Sequence, residues 1–185
     1  MKLIIESPLS LSKLQQLRLM YPLFSLDKRF YADAELSIHL SGETLNSYED
    51  LLERGRIRKL IYTFDETEEI RRLQKQFPGL SRFQIINLYL ARRENAAVLA
   101  TQVLMQEAAR SMGIPVFGYN WIFDQLCTHS KILPSEAVNK WQDLKHLFYP
   151  FTAQTEPVCV SQFYNRSTKR EDRSQKLAEK QQKYN

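Results

Sequence analysis

Short apolar runs alternate with helical stretches along the first 150 residues, and this alternation constrains the fold more than any other feature. It is clearest over residues 80–118, "LSRFQIINLYLARRENAAVLATQVLMQEAARSMGIPVFG", where a helix, a strand near residues 96–100, a second helix and a strand in "IPVF" are predicted. The run "LII" near the N terminus predicts a first strand. Strands separated by such helices are typical of βαβ units. The sequence therefore predicts an α/β three-layer sandwich, with a mostly parallel central sheet and helices on both faces.

Local signals place several helix ends. Ser81 and Gln84 have the spacing of a capping box, in which each side chain bonds the backbone N–H of the other residue. Thr101 is expected to cap the next helix, and Pro22 is expected to end the first one. In open α/β sheets, ligands bind beyond the carboxyl ends of the strands. The predicted parallel sheet therefore makes the residues at the strand ends the candidates for a site.

Composition predicts one domain and an extension. A hydrophobic content of 43% suffices for a core over residues 1–150, and residues 151–185 form a C-terminal extension with a basic polar tail. No run is long enough to span a bilayer and the N terminus lacks a secretory pattern, so we expect a cytoplasmic protein without membrane contact. Cys127 and Cys159 lack metal-ligand spacing, and reduced, buried thiols are favoured over a single disulfide.

The second half of the chain carries a family resemblance. The quoted segment, continued by "WIFDQLCTHSKILPSEA" up to residue 137, resembles PIN domains, the compact α/β ribonucleases best known as the toxins of bacterial toxin-antitoxin pairs. The match extends back to Met1 through "KLIIESPLS" and "RFYADAELSIHL". The resemblance implies a site of three or four Asp and Glu residues that hold Mg²⁺ or Mn²⁺, since hard cations take carboxylate oxygens and then activate water for phosphodiester cleavage.

The acidic positions of that family are occupied here by residues without a carboxylate. Carried over one by one, they fall on Ser7, His39, Gln84 and Gln102. The resemblance therefore implies a pseudoenzyme with no metal or other cofactor, which acts by binding RNA or a protein partner such as an antitoxin-like regulator.

Two other functions stay open. Glu6 lies beside Ser7, where strand alternation would usually aim it away from the site, and Asp33 and Glu35 precede His39. With such displaced carboxylates the chain would be an active Mg²⁺- or Mn²⁺-dependent ribonuclease. Alternatively, the aromatic last helices, with Trp121 and Trp141, would serve a structural protein that forms homodimers, although core packing is favoured for both tryptophans.

Charge alone gives a limited case for RNA binding. The tail, residues 166–185, carries seven basic and three acidic residues and so accounts for +4 of the formal net charge of +5. Neighbouring acids balance most basic residues of the domain. The candidate RNA-binding residues are Arg71, Arg92, Arg93, Lys169 and Arg170, which would attract phosphates without regard to sequence.

Overall fold

The computed structural model describes residues 1–147 and 156–164, which contain five strands, eight α-helices, one 3₁₀ helix and a further helical segment. The strands are β1 (Lys2–Ile5), β2 (Arg29–Asp33), β3 (Ile57–Leu60), β4 (Ala97–Leu99) and β5 (Val116–Phe117). The helices are α1 (Pro8–Gln16), α2 (Met20–Phe24), α3 (Gly42–Glu53), α4 (Thr67–Gln76), α5 (Arg82–Glu94), α6 (Val103–Ser111), α7 (Tyr119–Thr128) and α8 (Pro134–Leu147). A 3₁₀ helix spans Leu36–His39, and residues 158–164 are also helical.

The strands form one sheet in the order β3-β2-β1-β4-β5, and every neighbouring pair is parallel. The predicted α/β sandwich is thus confirmed. The chain builds the sheet outward from β1 to β3, then crosses back to place β4 on the other side of β1. Such a reversal leaves a crevice beyond the carboxyl ends of β1 and β4, which is the usual ligand site of open α/β sheets.

Strand alternation divides the core between the two faces of the sheet. Leu3 and Ile5 of β1 pack into a cluster with residues of α1, α2, α3, α7 and α8. Ile4, between them, packs on the opposite face with residues of α4, α5 and α6. Because successive side chains of a strand point to opposite faces, a strand covered on both sides reads as the continuous apolar run seen in "LII".

Trp141 is fully buried in the first of these clusters, and Trp121 is partly buried and stacks on Phe117 with ring centroids 4.7 Å apart. The favoured core packing of both tryptophans is therefore confirmed.

The structure corrects two of the predicted helix ends. Pro22 does not end the first helix; α1 ends at Gln16, Arg18 takes a left-handed conformation with φ of 55°, and Pro22 lies in the first turn of α2. A first-turn residue needs no N–H donor, so proline is tolerated there. Thr101 does not cap α6, whose N-cap is Gln102 without a side-chain hydrogen bond; the Thr101 side chain lies against Glu6, to which its hydroxyl donates.

Part of the predicted C-terminal extension packs on the domain. Val160, in the helical segment 158–164, is fully buried in the same cluster as Trp141. Lys169 and Arg170 lie outside the described residues. None of the helices in residues 1–147 and 156–164 is long and apolar enough to cross a membrane.

The N-cap of α5 supplies a direct stability test. The Ser81 hydroxyl accepts the Gln84 N–H, while Ser41, the N-cap of α3, makes no side-chain cap bond. Both serines are exposed. We expect Ser81→Ala to lower the free energy of unfolding by about 1 kcal/mol, the usual cost of a lost cap. Urea unfolding followed by circular dichroism measures this, with Ser41→Ala as the matched control; an equal loss in both variants would contradict the assigned cap.

Candidate functional site

The carboxylate of Glu6 lies in the crevice between β1 and β4. Glu6 directly follows β1, and its backbone N–H donates to the carbonyl of Leu99 at the end of β4, 3.2 Å away. The residue is fully buried. Its Oε2 accepts the backbone N–H of Thr101 at 2.5 Å and the Thr101 hydroxyl at 3.1 Å. The Glu6 side chain therefore connects the ends of β1 and β4, the neighbouring strands between which the strand order of the sheet reverses.

Gln84 connects this carboxylate to the start of two helices. As the third residue of α5, it completes the predicted capping box, since its Oε1 accepts the Ser81 backbone N–H at 3.0 Å. Its Nε2 donates to Glu6 Oε1 at 3.2 Å and to Gln102 Oε1 at 2.9 Å. Both the oxygen and the nitrogen of the Gln84 amide are therefore hydrogen-bonded, and they connect Ser81, Glu6 and Gln102.

Further polar contacts fix the backbone around the carboxylate. Asn87, one turn along α5 from Gln84, is fully buried and donates from Nδ2 to the Glu6 carbonyl at 2.8 Å. Ser10 donates to Glu6 Oε2 at 3.5 Å, and Tyr119 at the start of α7 lies close enough that burial and the charge of Glu6 together raise the pKa of its hydroxyl. The carboxylate is thus surrounded by side chains from α1, α5 and α7.

Two opposing effects set the charge of Glu6. Burial raises the pKa of its carboxyl above the usual range, and the hydrogen bonds from Thr101 and Gln84 limit the rise. Lys13 lies close enough to interact with this charge; burial lowers the pKa of its ammonium group and the attraction to Glu6 opposes that change. Burial is the larger influence on both groups.

A second buried acid stands apart from this network. Asp33, the last residue of β2, is 1% exposed, and its Oδ1 accepts the Glu35 N–H at 3.3 Å. Burial raises the pKa of Asp33. Among the described residues nothing hydrogen-bonds its Oδ2 or the buried Tyr48 hydroxyl, whose pKa burial and the charge of Asp33 raise to about 12.

The four positions carried over from the PIN resemblance meet only in part. Gln84 and Gln102 are in direct contact. Ser7 instead caps α1, where its hydroxyl accepts the Ser10 N–H at 3.2 Å. His39 packs edge-on against Phe83, with ring centroids 5.9 Å apart, and so lies beside the first turn of α5.

The strand-end position that faces Gln84 is occupied by Glu6 and not by Ser7. The expectation that Glu6 would point away from the site is wrong, because Glu6 lies just beyond the last residue of β1 and the chain turns there into α1. The site thus contains one carboxylate among neutral groups. Thr101 and Asn87 also belong to it. The sequence marked Thr101 only as a helix cap, and no motif marked Asn87.

The candidate RNA-binding arginines of α4 and α5 are paired with acids. Arg71 lies 3.7 Å from Glu68, and Arg92 pairs with Glu69. Arg93 pairs with Glu66 at 2.9 Å, where hydrogen bonds led by that of the Tyr89 hydroxyl lower the pKa of Glu66 to about 2. The last turn of α5, with both of its arginines, is roughly 13 Å along the helix from Gln84 at 1.5 Å per residue. The two arginines therefore do not surround the crevice.

The described residues contain no group of three or more His, Cys, Asp or Glu side chains placed to hold a metal ion. Comparison of the chain with protein-family models and with curated protein sequences finds no match.

The pKa of Glu6 should lie above the ordinary glutamate value of 4.5, and the pKa of Glu94 should lie below it. Burial raises the pKa of Glu6, whereas the hydrogen bond from Lys2 lowers that of Glu94. The stability that Glu6 contributes is full below pH 4.5 and is lost as pH rises through its folded pKa. The stability from Glu94 is full above pH 4.5 and is lost as pH falls through its folded pKa.

Carbon-detected NMR titration of the side-chain carboxyls measures both values in one sample. Thr101→Val should raise the pKa of Glu6 further, because it removes the hydroxyl donor, and should leave Glu94 unchanged. A Glu6 carboxyl that titrates at or below 4.5 would contradict the buried position described here.

Proposed function

We propose that this chain is a PIN-like protein without metal-dependent ribonuclease activity, which acts by binding a protein partner at the carboxyl edge of its sheet. The observation that carries the proposal is the Gln84 amide, whose N–H groups point at the oxygens of Glu6 and Gln102. In a metal site those oxygens would face the ion. Here an uncharged donor satisfies them.

The chemistry of the donor set supports an inactive site. Mg²⁺ and Mn²⁺ are held mainly by carboxylates, and the ion must neutralise the phosphate while it lowers the pKa of its bound water. Glu6 is the single carboxylate of the network around Gln84, and the attraction to Lys13 already offsets part of its charge. An ion that entered this site would have to displace the Gln84 and Thr101 donors, and it would then be bound by only one carboxylate.

The alternative that uses displaced acids has weaker support. Asp33 is buried, and burial raises the pKa of its carboxyl, so the anion that a metal requires is less favourable there than in an exposed aspartate. Glu35 contacts Asp33 through its backbone N–H. Thr101, Gln84 and Ser10 donate hydrogen bonds to the Glu6 carboxylate, and neither Asp33 nor Glu35 takes part in these bonds.

Two observations favour a protein partner over RNA. Arg71, Arg92 and Arg93 are neutralised by ion pairs, so the described part of the candidate RNA surface offers phosphates little net positive charge. Exposed aliphatic residues also follow the strand ends next to the site. They are Leu9, Ile38, Val103 and Leu104, with exposed fractions of 50%, 76%, 44% and 57%. Exposed apolar side chains along one edge of a domain are typical of protein-binding surfaces.

Restoring the acids tests the loss of metal chemistry. Wild-type protein should neither bind Mn²⁺ in calorimetry nor cleave a mixed single-stranded RNA pool in the presence of that ion. Gln84→Glu with Gln102→Glu should gain Mn²⁺ binding, and Mn²⁺ should raise the Tm of this double variant, because it relieves the repulsion among three carboxylates. Glutamate at position 84 keeps the capping box, so the helix start is preserved.

The charge-matched control is Gln16→Glu with Gln76→Glu, which alters two exposed glutamines at the ends of α1 and α4. It should gain no Mn²⁺ affinity. Metal-dependent cleavage by the wild type would overturn the inactive assignment. A folded double variant without Mn²⁺ affinity would instead show that Gln84 and Gln102 do not occupy the family's acidic positions.

Site-specific photo-crosslinking tests the class of partner. Crosslinkers at positions 38 and 104 should capture the same protein in cells. A crosslinker at the similarly exposed Leu133, which follows the end of α7 away from the strand ends, should not. Ribonuclease treatment should leave this capture unchanged. Crosslinks to RNA at positions 38 and 104 would favour RNA binding over a protein partner.

A further inference from the structure

A cavity of about 780 Å³ lies between α7, the start of α8 and the helical segment 158–164. This volume is within the range of small-molecule sites in proteins. Its lining includes both cysteines of the chain, with Asp124, Leu133, Val158 and Phe163. Both cysteines are free thiols and partly exposed, so a reagent in the cavity can reach them.

Asp124 positions one cysteine beside the other. It lies one turn before Cys127 on α7, so its carboxylate and the Cys127 thiol share a face of the helix. Asp124 Oδ1 accepts the backbone N–H of Cys159 at 2.9 Å. That N–H belongs to the first turn of the segment 158–164, where backbone donors lack helical partners.

With the segment held by this bond, Cys127 and Cys159 line the same cavity from two separate elements. Small side-chain rotations can then bring the two sulfur atoms to disulfide geometry.

We propose that Cys127 and Cys159 are a dithiol site that small disulfides, such as glutathione disulfide, oxidise to an intramolecular disulfide linking segment 158–164 to α7. The Cys127 thiolate attacks one sulfur of the reagent, forms a mixed disulfide and releases one glutathione thiolate. The Cys159 thiolate then attacks the Cys127 sulfur and releases the second. Two protein thiols are oxidised, one disulfide is reduced to two thiols, and the two protons go to the leaving thiolates.

The surroundings of the two thiols disfavour their ionisation. Burial raises the pKa of both. The carboxylate of Asp124 raises both further, and Glu136 on α8 adds to the rise for Cys127, so little of either thiolate is present at neutral pH. Oxidation should therefore be slow at neutral pH and accelerate about tenfold per pH unit below the pKa of Cys127.

The inference is independent of the proposed function, because the cavity lies beside α7 and α8 and shares no residue with the network around Glu6. Oxidation would fix the position of segment 158–164, whose Val160 is part of the core. Closing the chain between positions 127 and 159 should raise the Tm by roughly 5–10 °C.

The full-length protein in glutathione redox buffers provides the test. After alkylation of remaining thiols, mass spectrometry should find one intramolecular Cys127–Cys159 disulfide at oxidising ratios, with the expected rise in Tm. Cys127→Ser and Cys159→Ser should each abolish both. Asp124→Ala should lower the equilibrium constant for disulfide formation about tenfold through the lost cap bond, and Asp143→Ala, at an exposed position of α8, should not.

Three results would overturn the proposal: mixed glutathione disulfides that persist on both cysteines, disulfide-linked dimers, or thiols that stay reduced in the folded protein while the urea-unfolded chain oxidises in the same buffer. The last of these distinguishes an unsuitable thiol geometry from an inactive reagent.

Discussion

The hydrogen bonds of the Glu6 carboxylate join the two halves of the sheet, and the arrangement around the crevice depends on them. The strand order of the sheet reverses between β1 and β4. The ends of these two strands therefore lie side by side, although Glu6 and Leu99 are 93 positions apart in the sequence. A buried carboxylate is costly unless donors satisfy it, and here the Thr101 N–H, the Thr101 hydroxyl and the Gln84 amide do so. The same bonds connect the first turn of α5 and the residue before the N-cap of α6 to the end of β1.

The architecture could be predicted because its signals are local. Buried parallel strands appear as short apolar runs, and the Ser81 and Gln84 pair identifies a helix start through a contact that spans three residues. Signals that compete with other contacts were less informative. Thr101 has the residue type and position of a helix cap, but its donors bind a carboxylate 95 residues away, a contact that local sequence does not encode.

Part of the site could be predicted from the sequence, and the prediction failed where contacts are not local. Gln84 and Gln102 were identified through the family resemblance and do lie in contact. Glu6 was assigned to the wrong side because strand alternation was extended by one residue beyond the point where β1 ends. Asn87, which lies inside an apolar helix face, reads as an ordinary polar residue until its bond to the Glu6 carbonyl is known.

The residues around Glu6 explain how a sheet of this kind can fold without an ion at its carboxyl edge. Three carboxylates in this crevice would repel one another, and burial would raise their pKa values unless a cation were bound. Glutamine has the shape of glutamate and keeps its carbonyl acceptor, so Gln84 still completes the capping box with Ser81. It adds the N–H donor that Glu6 needs. The Gln84 amide therefore satisfies the Glu6 carboxylate and keeps the start of α5, and neither it nor the Gln102 amide adds further charge to the crevice.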